Sequence, residues 1–263
     1  MDDVKVFLRY VFQTKNNLTI AVQTSGNGGN ETILTNLLDP GDKLVVAVGG
    51  TWGEKVVDMA ERHNLDTLVL RKGPGEIYTL EELEAAITQH KANMLFVTHG
   101  ESTGGTLQVL EGVGDMCHKH NCLLAVDAIV SIASDPLFVD RWGIDAVSAG
   151  SQKALGAPPG MCMLSFSQLA EKRMLGKKTP TPYYFDVKRL AVYWGCTEED
   201  RGPNFPLHFF FQHVGGCSRG FGPSVRRRAP YNVGKAQEEC SSLLEEVGRN
   251  WDGMFRRENR KSI

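Results

Sequence analysis

Two residues of this chain have the type and spacing for carbonyl–amine chemistry. Asp127 closes the apolar run Leu123-Leu124-Ala125-Val126, and Lys153 stands in the small-residue loop Gly150-Ser151-Gln152-Lys153-Ala154-Leu155-Gly156-Ala157-Pro158-Pro159-Gly160. A lysine amine condenses with a carbonyl to give a Schiff base, and a carboxylate at the end of a buried strand keeps a heteroaromatic nitrogen protonated. These are the two demands of pyridoxal 5'-phosphate (PLP), whose ring acts as an electron sink. A loop lysine alone is most often a solvated charge. Asp127 and the small residues around Lys153 are what give it a chemical reading.

A third feature is the segment Thr24-Ser25-Gly26-Asn27-Gly28-Gly29-Asn30-Glu31. The sequence predicts a helix after it, over Thr32–Leu38, stopped by Pro40-Gly41. A glycine loop opening a helix offers free N–H groups and a positive dipole end to a phosphate. The spacing is neither GxGxxG, since Glu31 fills the last position, nor a Walker loop, since no Gly-Lys-Ser/Thr follows. The segment reads as a phosphate cup only alongside Asp127 and Lys153.

Such groups must be carried by a sheet, and the pattern supplies one. Apolar runs bounded by turn residues predict strands at Lys43–Val48, Asp66–Leu70, Met94–Thr98, Leu123–Val126, Ala146–Ser148 and Met161–Ser165. Helices are expected over Trp52–His63, from Thr79 onward, and over Leu110–His120. Thr79 and Glu82 have capping-box spacing. The opening segment reads as an amphipathic helix with Val4, Leu8 and Val11 on one face. Strands alternating with helices imply a three-layer α/β/α fold with a mostly parallel sheet. Ligands of such sheets bind beyond the strands' carboxyl ends, where Trp52, Glu101, Ser102, Asp127 and Lys153 are expected.

The 263 residues are 41% hydrophobic and 23% charged, with a formal net charge of -2. That balance gives no reason to expect nucleic acid or an anionic membrane as partner, and no apolar run has the length of a bilayer span. Six scattered cysteines form no paired framework. Cys117, His118, His120 and Cys122 lie close together but at a helix–strand junction, with no second paired motif. A structural role is expected there, and no metal site.

From Tyr10 to about Cys196 the chain resembles the alanine–glyoxylate / serine–pyruvate aminotransferase family of fold type I, class V PLP enzymes. The resemblance rests on Tyr10-Val11-Phe12-Gln13-Thr14-Lys15-Asn16, Asn36-Leu37-Leu38-Asp39-Pro40-Gly41-Asp42, Trp52-Gly53-Glu54, His99-Gly100-Glu101-Ser102-Thr103, Cys122–Asp127 and Ser151–Gly160. It implies Lys153 as the Schiff-base lysine and proton carrier, and Asp127 as partner of the pyridine nitrogen. Ile129 and Trp52 would cover the two ring faces. Ser25, Gly26 and Asn27 would form the phosphate cup, with Asn27 where the family usually has histidine. Gln152 would reach the phosphate region and Ser102 would lie near the phenolic oxygen. It further implies small amino acids and 2-oxo acids as substrates, a homodimer, and a peroxisomal setting, with mitochondrion or cytosol as the alternatives.

Beyond Cys196 the sequence departs from the family. Residues 1–196 are expected to be the PLP-binding large domain. Residues 197–234, rich in Gly, Pro and Arg, read as a loop, a disordered insert or translated intronic sequence, and 235–263 as a helix. The small C-terminal domain, which supplies the family's carboxylate-binding arginine, is expected to be missing. Arg226-Arg227-Arg228 reads as a surface run. The implied activity is transfer of an amino group from alanine or serine to glyoxylate. The alternatives are a catalytically impaired PLP-binding fragment, a 3-hydroxykynurenine transaminase, or a cysteine desulfurase using a loop cysteine such as Cys217.

Overall fold

A computed structural model describes residues 2–197. The expectations for 198–263, including Phe209-Phe210-Phe211, Cys217 and Arg226–Arg228, lie outside the described residues. The chain opens with α1 (Asp2–Phe12), β1 (Thr19–Val22), α2 (Gly26–Leu37), β2 (Lys43–Val48) and α3 (Thr51–Arg62). Next come β3 (Asp66–Arg71), α4 (Leu80–His90), β4 (Met94–Thr98) and a small hairpin of β5 (Gly100–Glu101) and β6 (Thr106–Leu107). Then follow α5 (Val113–Lys119), β7 (Leu123–Asp127), β8 (Ala146–Gly150), β9 (Cys162–Phe166), α6 (Gln168–Leu175) and α7 (Val187–Trp194).

Among the described residues, seven strands form one sheet in the order β1-β9-β8-β7-β4-β2-β3. The five central and right-hand strands β8, β7, β4, β2 and β3 run parallel, while β9 runs antiparallel to both β8 and β1. No helix separates β8 from β9, and a connection that short reverses the chain. Because β9 reverses direction twice over, β1 again points the same way as β8. The carboxyl ends of β1, β8, β7, β4 and β2 therefore share one edge of the sheet.

Helices cover both faces. α2 and α3 pack against each other and against the sheet on one side; α4 and α5 do so on the other. Right-handed crossovers require this division, because β2→β3 and β3→β4 travel in opposite directions along the sheet. The strand interiors are fully apolar, as a sheet covered on both faces demands: Leu44, Val45, Val46, Leu95, Phe96, Leu124, Ala125 and Val147 are all buried. At α1, Leu8, Val11 and Phe12 are buried, so the amphipathic reading of the opening segment is right about the face it turns inward.

Two expected boundaries are corrected. α2 begins at Gly26, six residues before the expected Thr32, so the glycine-rich segment is the helix's own first turns. Glycine is a poor helix former, but here a side chain has no room. A Cβ on Gly26 would strike Ile129 Cδ1, and one on Gly29 would strike Cys162 Sγ. The expected helix over Leu110–His120 starts only at Val113, because Gly112 adopts φ 81°. The Thr79–Glu82 capping box forms as the spacing predicts, with both reciprocal hydrogen bonds present.

Candidate active site

Each candidate group is delivered by the end of a different element. β7 ends at Asp127; Ala128 N–H still donates to Ser148 O on β8, and the chain then turns, with Ile132 N–H donating to Ala128 O. β8 runs into the 151–160 loop, which Ser151 closes by donating from Oγ to Pro158 O at 2.7 Å. Lys153 rides on this loop with its side chain exposed, and no hydrogen bond or ion pair to its amine is found among the described residues. β2 leads into α3, whose second residue is Trp52. β1 leads into α2, where Ser25 is the N-cap and accepts a long bond, 3.4 Å, from Gly28 N–H. The remaining first-turn N–H groups of a helix have no intrahelical partner.

These ends converge. Ser25, Gly26, Asn27, Trp52, Asp127, Ile129, Gln152 and Lys153 line one pocket at the carboxyl edge of the sheet, joined by Gly100 and Val130. Of the expected cofactor residues only Ser102 is not among the lining. It sits in the hairpin turn, where its Oγ accepts from Trp52 Nε1 at 2.9 Å. Its contact is thus with the aromatic ring's edge, one step back from the pocket.

That hairpin anchors the whole start of α3. Glu101 is buried, and its Oε2 accepts from Trp52 N–H at 3.1 Å while Oε1 accepts from Thr103 N–H at 3.0 Å and Thr103 Oγ1 at 2.5 Å. Thr103 Oγ1 also accepts from Thr51 N–H at 2.9 Å. Gly50, the N-cap of α3, has no side chain to cap with. Glu101 therefore does the capping from across the sheet edge, and its charge suits the positive helix end. Glu101→Ala is expected to lower unfolding stability by about 2 kcal/mol, the cost of orphaning buried donors. A urea denaturation curve measures it directly.

Asp127 sits at the pocket floor, nearly inaccessible. Burial pushes its carboxyl up to about 6, with the Glu101 charge acting the same way, against hydrogen bonds from Ile129 N–H and Asn30 that favour the charged form. Oδ1 accepts from Ile129 N–H at 2.9 Å and Oδ2 accepts from Asn30 Nδ2 at 2.7 Å. Thr98 and Ser148 flank Asp127 in register on the neighbouring strands and share its face. Thr98 Oγ1 is buried without a hydrogen-bond partner among the described residues. His99, next along the chain, is held neutral: burial drives its pKa down to about 4. Its Nδ1 lies 2.9 Å from Ser131 Oγ, and its ring meets Trp142 edge-on.

Sequence reasoning missed Asn30 and Ser148. The signal available was a polar residue in each of two segments otherwise suited to burial. The 117–122 cluster is spent elsewhere: His118 pairs with Asp145 and His120 with Glu84, each at 2.9 Å, while Cys117 and Cys122 are buried. Among the described residues no helix is long and apolar enough to cross a membrane.

Comparison with known proteins gives a consistent picture. The profile of the family described as aminotransferase class-V matches residues 1–194. The alanine–glyoxylate aminotransferase of Felis catus is 46% identical over 202 residues, which are 76% of this chain and 49% of that protein. The crystal structure of an alanine–glyoxylate aminotransferase from Nostoc sp. superposes with a TM-score of 0.73 at 37% identity, covering 77% of this chain and 55% of that one. A ureidoglycine–glyoxylate aminotransferase structure from Bacillus subtilis gives 0.72 at 28% identity, covering 73% and 50%. The chain spans about half the length of the curated relatives it matches.

Proposed function

This chain belongs to the aminotransferase class-V family, and from that premise we propose that it is a PLP-dependent aminotransferase moving an amino group from alanine or serine to glyoxylate. The products are pyruvate, or the corresponding 2-oxo acid, and glycine. The observation that carries the reading is the convergence of a loop amine, a buried carboxylate and a helix N-terminus on one pocket.

The pocket's chemistry fits the cofactor. The α2 N-terminus, with Ser25 Oγ and the N–H groups of Gly26 and Asn27, offers donors and a positive dipole end suited to a phosphate, and Gln152 adds an amide. Asp127 offers an acceptor for a protonated pyridine nitrogen, and above pH 6 it is mainly ionised. Trp52 and Ile129 offer apolar surfaces for a flat ring. When bound, PLP supplies the electron sink that lets an amino acid lose its Cα proton.

The chain's own residues do the rest. Lys153 Nζ is the atom that takes the substrate's Cα proton and returns it, and its freedom from competing partners leaves it able to swing. Glu101 and Ser102 hold Trp52 by its backbone and its indole N–H, so the ring covering the site is positioned from two sides. The family resemblance supports a homodimer and a peroxisomal setting as parts of the same reading.

The test is uptake of PLP by the purified full chain, seen as new visible absorption, followed by alanine and glyoxylate with pyruvate and glycine measured. Turnover of both products is expected. Cofactor uptake without any pyruvate would overturn the transaminase reading, and no uptake would overturn the cofactor assignment as well.

A further inference from the structure

Asp127 is a buried carboxylate whose surroundings act against its charge, yet the proposed chemistry uses the charged form. The groups that bear on it are few. Glu101, from the hairpin beyond β4, and Cys162, from β9, interact with it electrostatically, and Lys153 shares its pocket. The Cys162 thiol is pushed up to about 12, by burial first and by the Asp127 charge second, so it is neutral and offers no compensation. Apart from Ile129 N–H, the favourable contact comes from Asn30 of α2.

Asn30 is 2% exposed and Ser148 is fully buried. Asn30 Nδ2 donates to Asp127 Oδ2 at 2.7 Å, and Asn30 Oδ1 accepts from Ser148 Oγ at 2.5 Å. The logic of donors and acceptors fixes this arrangement. An ionised carboxylate only accepts, so the amide must turn its NH2 toward Asp127. That leaves Oδ1 facing Ser148, whose hydroxyl must then donate. Ser148 stands beside Asp127 in register on β8, and Asn30 reaches both from the helix above. The three side chains form a relay of two consecutive hydrogen bonds, and Asn30 is the one side chain found donating to the carboxylate among the described residues, beside the Ile129 backbone N–H.

We propose that Asn30, oriented by Ser148, is the positioning residue that holds Asp127 in its charged, hydrogen-bond-accepting form at the pocket floor. The consequence for catalysis rests on the function proposed above; the relay itself does not. Asn30 touches neither substrate nor reacting atoms and acts through Asp127. Its amide dipole is preorganised inside the fold, where a hydrogen bond to a charged group has its largest effect.

The experiment follows the protonation of Asp127 in the cofactor-free full chain. Melting temperature is measured from pH 4.5 to 8.5 for the wild type, Asn30→Leu and Ser148→Ala, each with and without Asp127→Asn. The difference between each pair isolates the Asp127 titration. Losing a hydrogen bond to the charged form should raise its midpoint by about one to two pH units in Asn30→Leu, and by less in Ser148→Ala. The pH profile of PLP affinity should move upward with it. A merely structural role would lower melting equally at every pH and leave the midpoint in place, and that result would overturn the proposal. Should Asn30→Leu fail to fold, Ser148→Ala, which deletes one hydroxyl, decides the matter by the same midpoint. A wild type that takes up no PLP would overturn the proposed function, while the melting titration would still decide the role of Asn30.

Discussion

Alanine in place of Lys153 is expected to leave the fold intact, abolish the absorption that PLP acquires on the protein, and cut transamination by roughly 10²- to 10⁴-fold. The fold should be indifferent because the side chain is exposed and no hydrogen bond or ion pair to its amine is found among the described residues. Surface substitutions of that kind change stability by about 0.5 kcal/mol or less. The loop does not depend on it either, being closed by Ser151 Oγ to Pro158 O and by Ala157 N–H to Ser151 O. Arginine at the same position would keep the charge but cannot give up its proton near neutral pH, so Lys153→Arg should be as inactive as alanine. Absorption spectra and pyruvate release, measured beside an unchanged melting temperature, check all three parts. Turnover surviving in Lys153→Ala would remove the lysine from the chemistry.

Why Lys153 and Asp127 could be read in the sequence, while Asn30 and Ser148 could not, follows from how each is used. Asp127 ends an apolar run, and a strand ending in a carboxylate is visible in a single short window. The parallel strands were legible for the same reason: burial on both faces writes itself as a continuous apolar run. The start of α2 was not legible because local propensity and tertiary packing disagree. Three glycines within four residues read as a turn, but helix α2 lies so close to Ile129 and Cys162 that only glycine fits. The direction of β9 is set by the missing helix before it, and that connection was available to be read. The Asn30 relay joins positions 97 and 118 residues apart, and no periodicity encodes such a pairing. A polar residue in a short buried segment is the only trace it leaves.

Glu101 and Ser102 show a related limit. Both were expected at the carboxyl edge, and both are there, but their contacts are to the start of α3. Their place just after an apolar run put them at that edge. Only geometry assigns them to holding Trp52, because the hairpin that carries them is too short to have a pattern of its own.

Asp127→Asn should separate stability from function with opposite signs. The folded carboxyl sits near 6, above its ordinary value of 3.8. A carboxyl raised on folding contributes stability below its unfolded pKa and loses it as pH rises through the folded one, so the cost is complete above about pH 6. Two units correspond to about 3 kcal/mol, an upper bound on what neutral asparagine recovers there. The relay can absorb the change. Asn30 turns its amide over, accepts from the new NH2 with Oδ1, and donates to Ser148 Oγ, which becomes the acceptor. Cofactor-free Asp127→Asn is therefore expected to melt higher than wild type at pH 7.5 and no higher at pH 4. Turnover should move the other way, down by roughly 10- to 100-fold, the value of a hydrogen bond to a charged group. Melting at the two pH values, set beside pyruvate release at pH 7.5, tests both halves. A variant less stable at pH 7.5 than at pH 4 relative to wild type would show that the buried charge costs the fold nothing.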